Sequence, residues 1–283
     1  MRFKAPLRGF TTRFAPAPTG FLHLGHVASA ILVFGMARAF FGRVLLPIDD
    51  HDRTRSRPEF EAAILEDLHW QSDREGRYTA ALQRLDEAGL VYACSCSRPM
   101  IEAAVGASPG EIRYPGVCRS ARVDAAAHPG RRVRLEASAM VIDDLCVGRV
   151  QQTPSIQCGD VLVRDALGQW RYQFAVVVDD LEQGVDLVIR GEDLLESAGR
   201  QVQLAQLLGR VTPPRFLHHP LARHQGGRKL SKSSGDTGVR ELRAAGFTPS
   251  QVLGSAAAVL GLSNGESLSN ADLAVRVFVA GNA

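Results

Sequence analysis

Lysine is nearly missing from this chain: Lys4, Lys229 and Lys232 stand against thirty arginines in 283 residues. Long apolar runs are missing too. None approaches the roughly 18 residues that a membrane-spanning helix needs. Met1 to Phe10 is basic but lacks the apolar stretch of a secretory signal. No membrane role is expected, and a cytoplasmic location is. Neither sign of charge dominates, with a net of +3; that is compatible with an RNA partner but does not by itself indicate one. Cysteine is sparse and odd in number, five in all, with Cys94, Cys96 and Cys118 in one short stretch. In a chain without an export signal this reads as a metal site or free thiols and excludes a disulfide framework. Cys146 and Cys158 stand apart and read as small buried hydrophobes.

What is present fits a globular protein, with 45% hydrophobic residues and enough length for one large core or two modest ones. The first ninety residues alternate strand and helix, the pattern of an α/β fold with a parallel sheet. An extended run at Thr12 to Ala15 breaks at a Pro16/Pro18/Gly20 turn. A mostly apolar helix is predicted from about Gly25 to Phe41, with Val27, Ile31 and Phe34 on one face. A strand follows at Arg43 to Ile48, ending in Asp49-Asp50-His51-Asp52. The next helix opens on Ser56 and Glu59, a capping-box spacing, and another carries Tyr78, Leu82 and Leu85 and stops at Gly89. From Tyr92 to about Ser155, cysteines, prolines and glycines interrupt the pattern, with strand-like pieces at Val133-Leu135 and Val147-Val150. It resumes with Asp160-Val163, the apolar run Phe174-Val178, a strand at Val185-Arg190 and a helix from Leu194 to Leu208. Helices are predicted at Val239-Ala245, Pro249-Leu260 with Thr248 as N-cap, and Ala271-Val279. The expected division is 1–92 and 158–222 as the two halves of the α/β domain, 93–157 as an insert, and 223–283 as a basic loop with a helical C-terminal region.

Two short segments carry the chemistry. His23-Leu24-Gly25-His26 falls at a strand–turn–helix junction, where an open α/β sheet leaves a crevice and where free N–H groups make a phosphate seat. His23 and His26 are three apart and can face one ligand, and Gly25 permits close backbone approach. The plainer reading, two histidines that only cap a helix, is the favoured one for such a tetrad in isolation. The second segment is Lys229-Leu230-Ser231-Lys232-Ser233, within a Gly/Ser-rich stretch. It places two of the chain's three lysines within four positions. Arginine and lysine are not interchangeable beside a phosphate, and a weakly anchored loop can close over a ligand.

Together, with the lead-in Arg13-Phe14-Ala15-Pro16-Ala17-Pro18-Thr19-Gly20, these segments resemble the two signature motifs of class I aminoacyl-tRNA synthetases. The resemblance implies a Rossmann-like catalytic domain, ATP and Mg2+, and adenylate formation by attack of a carboxylate on the α-phosphate. His23, His26, Lys229 and Lys232 would be the catalytic groups, with Gly25 in the ATP seat. Positioning and charge stabilisation should dominate such a reaction.

The lead-in is similar to the opening of glutamyl- and glutaminyl-tRNA synthetases. Ile48-Asp49-Asp50-His51-Asp52, Tyr172 with Ala175-Val176-Val177-Val178-Asp179-Asp180, and Val188-Ile189-Arg190-Gly191-Glu192-Asp193-Leu194 resemble further substrate-contacting segments of that group. The resemblance implies a substrate site of Arg13, Ala15, Ala17, Asp49, Tyr172 and Arg190. Asp49 would hold the α-ammonium of L-glutamate, and Arg13 and Arg190 can clamp carboxylates with paired hydrogen bonds. Glutamyl enzymes usually carry Glu where this chain has Asp49, and Pro47 stands where they have arginine.

Only about fifty residues follow Ser233, and no anticodon-binding domain is expected. This short form resembles the glutamyl-queuosine tRNA(Asp) synthetase family, which implies transfer of glutamate to queuosine in the anticodon loop of tRNA(Asp). A monomer is expected. Three cysteines beginning C-x-C are a zinc signal. The family resemblance adds Tyr114 as a fourth Zn2+ ligand, where residue chemistry alone would nominate a histidine such as His128. Competing readings are a short glutamyl-tRNA synthetase that charges a 3′ end, and a non-catalytic paralogue that binds nucleotide or RNA.

Overall fold

The computed structural model describes residues 2–16, 22–46, 75–106, 111–221 and 238–281. Ala17, Pro47, Asp49, Lys229 and Lys232, and the helix expected after Ser56, lie outside the described residues. The elements run β1 (Thr11–Arg13), α1 (Leu24–Phe40), β2 (Arg43–Leu45), α2 (Glu75–Glu87), β3 (Val91–Ala93), α3 (Arg98–Val105), β4 (Arg131–Val133), β5 (Met140–Asp144) and β6 (Gly148–Gln152). They continue with α4 (Pro154–Gln157), β7 (Val161–Arg164), α5 (Tyr172–Glu182), β8 (Leu187–Gly191), a 3₁₀ segment (Glu192–Ser197), α6 (Ala198–Leu207) and β9 (Arg215–His219). Helices α7 (Val239–Ala244), α8 (Pro249–Val259) and α9 (Asn270–Gly281) complete the order.

The architecture is mixed α/β. Strands β1 and β2 pair in parallel, Arg13 opposite Leu45. Next to them, Asp186 N–H donates to the Thr11 carbonyl at 3.0 Å, and Thr11 N–H donates to the Asp186 carboxylate at 2.7 Å. A four-stranded sheet runs in the order β6-β5-β9-β8, with β8 and β9 parallel and β5 and β6 an antiparallel hairpin. Strands β5 and β6 fall within 93–157, yet they join the sheet of β8 and β9 rather than a separate one. A three-stranded antiparallel sheet, β3-β4-β7, packs beside α2 and α5.

Successive side chains of a strand point to opposite faces, and the sequence of β8 and β9 uses both. Leu187, Ile189 and Leu217 join Leu32 and Met36 of α1 in one core, while Val188 and Phe216 join Ile142 and Val202 in another. Helix α1 is therefore buried on most sides. The stripe of Val27, Ile31 and Phe34 lines a groove of about 440 Å³ against Leu253 and Leu273, and Phe34 stays partly exposed.

Helices α8 and α9 cover α1 through Ala256, Ala257, Leu273 and Val277. Thr248 caps α8: its hydroxyl accepts from Gln251 N–H, and the Gln251 side chain accepts from Thr248 N–H at 2.8 Å. Within α8, a Cβ at Gly254 would lie 1.8 Å from the Glu266 carbonyl oxygen. Backbone cannot yield as a side-chain tip can, so Gly254→Ala is expected to lower unfolding free energy by about 3 kcal/mol. Urea denaturation with an unchanged slope checks it.

One helix departs from expectation. The stretch from Leu194 begins as a 3₁₀ segment and becomes α-helical only at Ala198. Two carbonyls of that turn are claimed by side chains from elsewhere: Leu194 O accepts from Arg190 at 3.1 Å, and Leu195 O from Gln152 at 3.0 Å. Those bonds compete with the i→i−4 ladder, and the tighter turn results.

Candidate active site and metal centre

Helix α1 starts with His23 as its N-cap. The Nδ1 atom of His23 accepts from Gly25 N–H at 3.1 Å, and Nδ1 of His26 accepts from His23 N–H at 3.1 Å. The two rings stand 4.0 Å apart. An imidazole whose Nδ1 accepts must be neutral with its proton on Nε2. Capping and phosphate binding are therefore compatible: the same contacts that end the helix fix each ring as an Nε2–H donor. His23 also bridges to Gly238, and Leu22 O accepts from Val239 N–H at 2.9 Å, which joins this turn to the start of α7.

Arg13, Tyr172 and Arg190 lie close to one another. Arg13 leaves the end of β1 buried, and its Nε donates to Asp180 on α5 at 2.8 Å. Burial raises the Asp180 carboxyl, and the charges of Arg13, Arg190 and Arg210 act against that rise. Arg190 is the penultimate residue of β8 and is buried. Its Nε donates to Nε2 of His218 at 2.9 Å, Nη1 to Gln201 at 2.7 Å and Nη2 to Leu194 O. The Tyr172 phenol, at the first position of α5, also interacts with Arg190. Burial lowers the pKa of Arg190 without removing its charge. Ala15 follows β1 and is half-buried.

Sequence reasoning did not assign Asp180, His218 or Gln201, which hold the two arginines, or Asp144, which holds His218. Their signal was present as polar residues inside apolar runs: Asp180 after Val176-Val177-Val178, His218 after Phe216-Leu217, and Asp144 ending Met140-Val141-Ile142. Polar groups in such places are buried only when partnered.

The three insert cysteines converge. The Sγ atoms of Cys94, Cys96 and Cys118 all lie within 4.8 Å of one another, and none is in a disulfide. The Tyr114 hydroxyl is 3.7 Å from Cys94 Sγ and 3.8 Å from Cys96 Sγ, and it accepts from Cys118 N–H at 2.9 Å. Tetrahedral zinc with bonds of about 2.3 Å spaces its sulfurs about 3.8 Å apart, so the donor set fits such an ion. His128 is not part of this cluster. Burial opposes ionisation of Cys118, but hydrogen bonds from the Ser95 backbone and then from Cys96 and Tyr114 outweigh it and bring the thiol down to about 7. Burial pushes the Cys96 thiol up to about 11. Arg132 stacks 3.6 Å over the Tyr114 ring and donates to Cys94 Sγ at 3.3 Å. A cleft of about 490 Å³ links this cluster to the other site, with Cys96, Tyr114, Tyr172 and Gln173 among its walls.

Residues 10–270 match the family described as tRNA synthetases class I (E and Q), catalytic domain. The chain belongs to that family and is an enzyme of the ligase class. Within it, the chain is similar over most of its length to proteins named Glutamyl-Q tRNA(Asp) synthetase. One from Rhodobacter capsulatus is 40% identical over 275 residues, spanning 85% of this chain and 97% of that protein. Another from Nocardia farcinica is 40% identical over 278 residues, spanning 92% and 87%. The crystal structure of a glutamate-tRNA synthetase from Elizabethkingia anophelis shares the fold, with a TM-score of 0.77 at 22% identity. The match covers 94% of this chain but 65% of that one, so the chain spans under two thirds of its length. Among the described residues no helix is long and apolar enough to cross a membrane.

Proposed function

We propose that this enzyme activates L-glutamate with ATP to glutamyl-adenylate and transfers the glutamate to the queuosine base in the anticodon loop of tRNA(Asp). The observation that carries the reading is 40% identity across 97% of the Rhodobacter capsulatus protein of that name. The joined cluster of Arg13, Tyr172 and Arg190 supports an acidic substrate, because two guanidinium groups and a phenol suit carboxylates.

In the first step a glutamate carboxylate oxygen attacks the α-phosphorus, and the bond to pyrophosphate breaks. The Nε2–H donors of His23 and His26 face the phosphates, Gly25 lets them approach the helix start, and Lys229 and Lys232 neutralise charge on the departing group. Mg2+, when bound, would screen the triphosphate. Asp49 holds the α-ammonium, and Arg13, Tyr172 and Arg190 hold the carboxylates. In the second step a hydroxyl of the cyclopentenediol ring attacks the acyl carbon, its proton is lost, an ester forms and AMP departs. Cys94, Cys96, Cys118 and Tyr114 would hold Zn2+, which cross-links the insert. The working unit in this reading is a monomer acting in the cytoplasm.

The test is glutamate-dependent ATP–pyrophosphate exchange without tRNA, followed by nuclease mapping of labelled glutamate on queuosine-containing tRNA(Asp). Exchange and label in the anticodon fragment are expected. Label at a 3′-terminal adenosine would restore the ordinary glutamyl-tRNA synthetase, and absent exchange would favour a non-catalytic paralogue.

A further inference from the structure

The polar groups behind Arg190 form a directed chain. Asp144, at the end of β5, is fully buried and accepts four hydrogen bonds. Its Oδ1 accepts from Cys146 N–H at 2.8 Å and Val147 N–H at 2.9 Å; its Oδ2 accepts from His218 N–H at 3.1 Å and His218 Nδ1 at 2.6 Å. A carboxylate only accepts, so Nδ1 of His218 must carry the proton. A neutral imidazole then offers a lone pair at Nε2, which is where Arg190 Nε–H points. Were the ring doubly protonated, two N–H groups would confront each other. Burial, and then the Arg190 charge, act against that protonation, while Asp144 and Asp193 favour it, and the balance lowers the His218 pKa.

The other acceptors of Arg190 are oriented in the same way. Gln201 presents its oxygen to Arg190 because its amide nitrogen is engaged by Gln173 at 2.8 Å, and Gln173 in turn donates to Ser197 at 3.0 Å. His218 is the acceptor on the Nε edge among the described residues, and together with Gln201 and Leu194 O it fixes the tilt of the guanidinium plane. A fork that binds a carboxylate by two parallel bonds depends on that tilt, and misplacement by about 1 Å costs on the order of 10²-fold.

We propose that His218, locked by Asp144 in the tautomer with an unprotonated Nε2, is a positioning residue that aims Arg190 at the glutamate substrate. The proposal rests on Arg190 facing glutamate, as in the function proposed above. Two variants of the full chain test it, His218→Phe and His218→Gln, with KM for glutamate and for ATP measured separately in the exchange reaction. Phenylalanine keeps the ring and removes the acceptor; glutamine restores an oxygen near the Nε2 position. His218→Phe should raise the glutamate KM at least about tenfold, the loss expected for one hydrogen bond to a charged group, with the ATP KM moved less than about twofold. His218→Gln should recover most of the loss.

Equal effects of the two variants on glutamate KM, or no effect of His218→Phe, would overturn the proposal. If neither variant folds, ¹⁵N NMR of the wild-type histidines decides: an unprotonated Nε2 at neutral pH is expected for His218, and a protonated one overturns the scheme. A wild-type chain without glutamate-dependent exchange would instead strike at the proposed function, which keeps the two failures apart.

Discussion

Replacing Arg190 by leucine is expected to raise the glutamate KM by about 10²-fold or more and to lower stability as well. The guanidinium is the only charged donor reaching Nε2 of His218, Gln201 and Leu194 O together among the described residues. Leucine fills part of the volume but leaves those three buried acceptors unpartnered, each at a cost of about 1–3 kcal/mol where water cannot reach. Truncating one partner of a buried, hydrogen-bonded charge typically costs about 2–5 kcal/mol in binding, which sets the expected fold-change. Arg190→Lys separates charge from geometry. It keeps the cation but cannot satisfy three acceptors in one plane, so glutamate binding should still fall by at least about tenfold while the melting temperature recovers. Titration calorimetry with glutamate alone, beside thermal unfolding, reads both effects. Wild-type affinity in the lysine variant would show that charge alone suffices.

The second large effect concerns the cysteine cluster. Elemental analysis of the purified chain should find one zinc, and Cys94→Ser/Cys96→Ser should remove it. The buried residues of this cluster are Cys94, Tyr114 and Cys118, with Tyr92, Cys96, Ile101 and Val123 packed around them. So small an apolar group holds few residues in place, and a bound ion would supply much of the local folding free energy. Without it the segment from Cys94 to Cys118 should open, with proteolytic nicking there faster by on the order of 10-fold, while the cores around α1 and β8 persist. Glutamate activation should survive, and transfer to RNA should fall. Full activity and full protease resistance in a zinc-free double variant would remove the metal from the picture.

Sequence made some of this legible and not the rest, for identifiable physical reasons. Local signals were readable. The cap at Thr248, the αL glycine after α2 at Gly89 and the apolar length of α1 are decided by neighbours in the chain. The C-x-C spacing placed Cys94 and Cys96 on one short loop, and Cys118 meets them there. Long-range pairing was not readable. Nothing in Met140 to Gln152 announces that β5 lies alongside β9, some seventy residues away, because strand register is fixed by partners and not by the strand itself. The supports of Arg190 were hidden for the same reason: Asp144 and His218 are 74 positions apart and become a pair only when β5 and β9 are side by side. The two gaps are one, since the pairing that is silent in the sequence is the pairing that brings Asp144 and His218 together.

The start of α1 has a consequence for how this enzyme can drift over generations. His23 and His26 each use one nitrogen to end the helix and hold the other as a donor. An asparagine at either position could preserve the cap but would not present an imidazole N–H at the same reach. Under the proposed function, selection on helix integrity and selection on phosphate contact would act on the same two side chains, and a change could not relax one without testing the other. Such positions are poor entry points for gradual divergence. Variation in this fold should accumulate instead on surfaces like the exposed side of α9, where Val275 and Val279 face solvent.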